Sequence, residues 1–150
     1  MKMQFKSMLL LLGVSFFIFA GFKNADQRSV KGTHFKDQPT PVTIESIYTS
    51  RAADGTQMGT FTAHGGIETT GWVEMDVHRY ANVAHCSQTF HSAEGTFTAL
   101  SNCQFSTMEG TWRIVEATGA YSDLEGNGKL LMTFPGPPVF VHESWSGKVR

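Results

Sequence analysis

WRIVEATGAYSDLEGNG, residues 112–128, decides how this chain folds. WRIVEA (112–117) alternates as a strand does, TGAY (118–121) turns the chain, and SDLEGNG (122–128) leads into a second strand, GKLLMTFP (128–135). Gly119, Gly126 and Gly128 stand where a sheet has to turn tightly and resume, and glycine takes positive φ there without steric cost. The three glycines therefore read as a structural turn joining two strands. They do not read as a phosphate loop, because no helical period follows to supply amide donors.

Working outward, the same pattern recurs on both sides. VTIESIYTS (42–50) puts Val42, Ile44, Ser46 and Tyr48 on one face and is closed by Ala53-Asp54-Gly55. QMGTFTAHGG (57–66) and IETTGWVEMDVHRY (67–80) follow, the latter with Val73, Met75 and Val77 on its apolar face and Trp72 out of step with them. After the hairpin of 83–106, the opening stretch and the turn Pro135-Gly136-Pro137-Pro138, VFVHESWSGKV (139–149) ends the series. About eight strands joined by short turns suit an all-β, antiparallel up-and-down β-barrel, with a two-sheet sandwich as the competitor.

In the hairpin, a two-residue turn at Glu94-Gly95 pairs Ala93 with Thr96 and sets Cys86 opposite Cys103. That is a non-hydrogen-bonded position, where Cα atoms approach to about 4.5 Å, within reach of a disulfide. One face then carries Cys86, Phe90, Phe97, Ala99, Cys103 and Phe105 and is the core face. A disulfide between Cys86 and Cys103 is the expectation, and two free buried thiols are the alternative. A bulge in either strand would shift the register.

The compartment argument for that disulfide comes from the start of the chain. Lys2 and Lys6 precede an apolar run from Met8 to Phe19, and Ala20 and Gly21 follow, the pattern of a secretory signal peptide over 1–20. The run is too short to span a bilayer, so no stable membrane insertion of the mature chain is expected. Thiols in an exported protein tend to pair, and the protein is expected to be secreted or periplasmic. Residues 21–41 are polar and without period, an exposed leader; 42–150 form the β-barrel domain. Without Lys2 and Lys6 the basic residues fall from 12 to 10 against 13 acidic ones, a net charge of −3. No basic cluster remains, so nucleic acid is not an expected partner.

IVEATGAYSDLEGNGKL (114–130) resembles the turn-rich stretch of allene oxide cyclases, plant dirigent proteins and small secreted bacterial proteins of unknown function. Those families carry a run like GTGxF/Y and then a glycine-bearing turn. Here Ala117 replaces the first glycine, Thr118, Gly119, Ala120 and Tyr121 follow, and Leu124, Gly126 and Gly128 come after. GTFTAHGGI (59–67), AHCSQTF (84–90) and Cys103 extend the likeness to the bacterial group over most of 55–131. The resemblance implies an eight-stranded barrel and a homo-oligomer, a trimer as in the plant families. It implies no assigned activity, since the matching residues are structural glycines and apolar positions.

Chemistry-bearing motifs are absent: no GxSxG elbow, Walker loop or HExxH is present, and no cofactor is implied. His85 and His91 share a face but lie about 20 Å apart by strand rise, so no metal site is expected. Glu74, Asp76, His78, Arg113, Glu116, Tyr121, His142 and Glu143 are scattered acid and base candidates. A barrel mouth that gathered Glu74, Asp76, Tyr48 or Arg113 would raise a carboxylate's pKa by burial, whereas alternating charges on a strand are ordinarily its solvated face. The aromatics Phe61, Trp72, Phe90, Phe97, Trp112 and Phe140 are candidates to line a cavity for a small apolar molecule, or else to fill the core or an oligomer interface. The function expected is binding of a small apolar molecule or service as an interaction module. The alternative is an enzyme of the cyclase or isomerase kind, whose barrel steers a reactive intermediate.

Overall fold

The computed structural model describes residues 38–150. The expected signal peptide, and most of the leader, lie outside the described residues. Eight strands follow one another: β1 (Thr40–Arg51), β2 (Gln57–Gly65), β3 (Thr69–Tyr80), β4 (Val83–His91), β5 (Thr96–Gln104), β6 (Glu109–Ala117), β7 (Gly126–Thr133) and β8 (Val141–Val149). Each pairs antiparallel with the next, and β8 pairs with β1, so the sheet closes into an up-and-down barrel without a free edge.

Period-2 alternation fixes what points inward. Val42, Ile44, Ser46 and Tyr48 of β1, Val73 and Met75 of β3, Cys86, Gln88 and Phe90 of β4, and Val141, Glu143 and Trp145 of β8 are all buried, while their neighbours in sequence are more open. The lower half of the lumen is filled with rings. Phe90 stacks on Phe97 at 4.6 Å, Phe61 meets both edge-on, and Trp145 packs against Phe90 and Trp112.

Two features depart from the sequence expectation. In the β4–β5 hairpin His91 faces Thr96, leaving a four-residue loop, 92–95, in place of a two-residue turn. Ser92 holds it: its N–H and Oγ–H reach the Gly95 carbonyl at 3.0 and 3.2 Å, and its Oγ accepts the Glu94 N–H at 3.2 Å. The register moves by two residues, so Cys86 faces Ser101 and Cys103 faces Ala84. The cysteines become diagonal neighbours, beyond the usual Cα spacing of a disulfide, and both are free and buried. The expected Cys86–Cys103 disulfide is therefore not formed. Because the shift is even, the core face itself is as read from the sequence.

The second departure is in the stretch 112–128. WRIVEA is the end of β6, but the turn is larger than expected: a single 3₁₀ turn, Gly119–Tyr121, followed by a loop to β7. Tyr121 and Leu124 are buried there and cap the lower end of the barrel, with Tyr121 edge-on to Phe97 and its hydroxyl donating to Glu94 at 2.6 Å. Gly119 has φ +63°, as expected of a turn glycine, and a Cβ on it would run into the Glu94 carbonyl. Gly126 and Gly128, by contrast, belong to β7 rather than to the turn. Gly128 faces both Gly147 and Trp112, and this bare strip of backbone gives the Trp112 indole its seat.

Candidate functional site

With the lower end capped, the upper end is the way into the lumen. A recess of about 250 Å³ opens there, walled by Val77, Phe105, Phe134 and Phe140 and floored by Met75, Met132 and Val141. Phe134 and Phe140 remain half exposed at its rim. Two charged side chains line it, Arg51 and Arg79. Arg79 continues the inward series of β3, and its guanidinium sits 5.6 Å from the Phe105 ring centre. Arg51 reaches the inner face through a β-bulge. Tyr48 faces Gly59 and Ser50 faces Met58, so Thr49 is an extra residue, and parity reverses beyond it. Arg51 thereby falls opposite the buried Gln57 on the inside.

Directly beneath the floor lies a polar chamber inside the barrel. Glu143 is fully buried. Tyr48 Oη donates to its Oε2 at 3.1 Å, and Gln88 Nε2 approaches its Oε1 at 3.4 Å. Gln88 Nε2 also has Ser101 Oγ at 3.1 Å and Met75 Sδ at 3.5 Å, three acceptors for two hydrogens. Burial pushes the Glu143 carboxyl up to about 7, and the hydrogen bonds of Tyr48 and Gln88 hold it from going further. The Trp145 indole favours the anion as well. Its N–H completes no hydrogen bond by geometry, so it acts as an oriented dipole and not as a formed bond. Ser46 Oγ, across from Glu143 in the β1–β8 ladder, is likewise buried and completes no hydrogen bond by geometry, although it lies near enough to the Tyr48 hydroxyl to act on it.

The neighbours respond to the same burial and charge. Tyr48 is raised well above the usual phenol range, first by burial and then by Glu143. Cys86 is pushed up to about 12 by burial and by Glu143, and Cys103 is raised for the same reasons. These thiols are poor nucleophiles. What the chamber can do chemically is hold or release one proton near neutral pH at Glu143.

Of the aromatics expected to line a cavity, only Phe140 does so. Phe61, Phe90, Phe97 and Trp112 are core, and Trp72 stands outside the barrel, stacked on His91 at 3.6 Å. Trp72 was out of step with the apolar face because it belongs to the outer one. Glu74 and Asp76 also face outward, Glu74 bonded to His91 at 3.3 Å and Asp76 to Thr56 at 3.2 Å. His64 pairs with Glu68, and His142 with Glu45, on the outer wall. Ser144 and His142 both donate to Glu45 Oε2 at 2.8 Å, which spends the carboxylate on two donors and leaves no serine–histidine relay. Among the described residues no three metal-ligating side chains converge. Glu143 carried a signal in the sequence: it alternates between Val141 and Trp145 and so shares their apolar face.

A wider groove of about 690 Å³ crosses the outer wall, lined by Glu45, Thr111, Lys129, Leu131 and Ser144 among others. It does not communicate with Glu143 and holds no fully buried charge. The chain matches no protein-family model, no curated protein and no solved structure.

Proposed function

We propose that this barrel binds a small apolar molecule in its upper mouth. The observation that carries the proposal is the recess itself: methionine floor, phenylalanine walls, and two rim phenylalanines left half exposed where burial would otherwise be favourable. Thioether side chains adapt to irregular shapes and give the floor its tolerance. Export of the chain, carried by the apolar run after Lys6, belongs to the same proposal, as does membership of an allene oxide cyclase/dirigent-like group with a trimeric assembly. The closed next-neighbour barrel is compatible with that kinship. Titrating the full-length protein with a neutral naphthalene alcohol, 2-naphthalenemethanol, tests the site. Saturable binding that Phe140→Ala weakens supports it; binding indifferent to both Phe140→Ala and Phe134→Ala sinks it.

A second reading is favoured by one specific observation, the carboxyl of Glu143 poised at about 7 just below that floor. In this reading the protein is a cyclase- or isomerase-type enzyme in which the mouth holds the substrate and Glu143 moves a proton once Met75 and Met132 yield. Glu143→Gln separates the two, since it leaves binding in place and abolishes turnover only if the carboxyl does chemistry.

A further inference from the structure

The mouth carries more information than its apolar walls. Arg51 and Arg79 are the charged residues lining the recess, and neither takes part in any of the four ion pairs among the described residues. Arg79 is held over an aromatic face, and its charge reaches far enough inward to act on the Cys86 thiol. The buried Glu143 is not their counter-ion, for nothing in its environment traces to either arginine. Arg51 is on the inside only because the bulge at Thr49 re-aims it. Two positive charges are thus turned toward an apolar recess with no acid to meet them.

We infer that the ligand of this mouth is a small hydrophobic monoanion: an apolar body, about one or two rings in size, with a single carboxylate directed at Arg51 and Arg79. The apolar body displaces water from Phe105, Phe134 and Phe140. The carboxylate takes the guanidinium donors, whose planar fork matches two oxygens. The recess, at about 250 Å³, is smaller than the usual ligand pocket of roughly 300–1,000 Å³. That size excludes long chains and large polycyclic bodies. A polyanion is disfavoured too, because the recess offers two cations and, Gln57 apart, an apolar wall. Both arginines are solvent-exposed, and a neutral ligand would gain nothing from their charge.

The proposal rests on the mouth being the binding site, and one pair of probes separates its failure from the failure of that reading. 2-Naphthoate and 2-naphthalenemethanol share the apolar body and differ in charge. Titrated calorimetrically into the full-length protein at low ionic strength, the naphthoate is expected to bind about tenfold or more tightly than the alcohol. Its advantage should shrink as salt is raised, and fall to about twofold or less in the Arg51→Gln/Arg79→Gln variant. The salt series on the unmodified protein keeps the test decisive if that variant folds poorly. Equal affinity for the two probes, both weakened by Phe140→Ala, overturns the anionic class while the mouth stands as a binding site. No binding of either probe overturns both.

Discussion

Replacing Glu143 by glutamine should remove one large pH-dependent contribution to the barrel's stability. The carboxyl ordinarily titrates near 4.5 and is raised to about 7 in the folded protein. That displacement is worth about 3 kcal/mol between the two protonation states. The sign follows from linkage. Between the two values the native state holds a proton that the unfolded chain has released, so stability falls as pH rises through this window and levels off above about 7. Glutamine keeps the shape and loses the titration. Measured against Glu143→Gln, the natural protein should therefore lose about 3 kcal/mol between pH 4.5 and 8, a relative drop in Tm of about 10 °C for a domain of this size. A constant offset is expected on top of it, about 1 kcal/mol in either direction, as the new amide re-sorts its bonds with Tyr48 and Gln88. The slope of the difference is the test, because the outer histidine–glutamate pairs are common to both proteins and cancel. Thermal or urea unfolding followed by circular dichroism at half-unit pH steps supplies it. Parallel profiles for the two proteins would show that Glu143 is not a buried, proton-holding carboxyl.

Two further outcomes follow from the fold. Gly119→Val forces a β-branched residue into positive φ and against the Glu94 carbonyl, and should cost at least about 2 kcal/mol in urea unfolding; undiminished stability would mean that the 3₁₀ turn is not what caps the barrel. Cys86 and Cys103 should resist a thiol reagent in the native protein and titrate as two thiols per chain once it is unfolded without reductant; a count of zero would restore the disulfide.

How far the sequence could be read depended on parity. Inner and outer faces need only whether a position is odd or even, and that survives any even error in register. Cys86, Phe90, Phe97 and Cys103 were accordingly assigned to the core although their partners were each displaced by two. The disulfide needed the partners themselves, and these were set by Ser92, whose side chain substitutes for backbone in the hairpin loop. A loop serine looks the same in a sequence whether or not it does this. The polar chamber was hidden for another reason. Tyr48, Gln88, Ser101 and Glu143 come from four strands, and only closure of the sheet brings them within bonding distance. Each, taken alone, is a polar residue interrupting an apolar face. The mouth was least legible of all, because Arg51 lies beyond a bulge and alternation counted from Val42 places it outside.

That bulge makes the mouth's chemistry a matter of counting. Beyond Thr49 the inward position before the turn is residue 51; were the same sequence paired without the bulge, Thr49 would stand opposite Met58, Ser50 would take the inward place opposite Gln57, and Arg51 would move to the outer wall. Every side chain deeper in the lumen would keep its place. Two barrels of this architecture could therefore share identical cores and the same residues along β1, and differ in ligand charge through whether that strand bulges before its last turn. For this fold, bulges near the ends of strands are where changes of specificity should be sought.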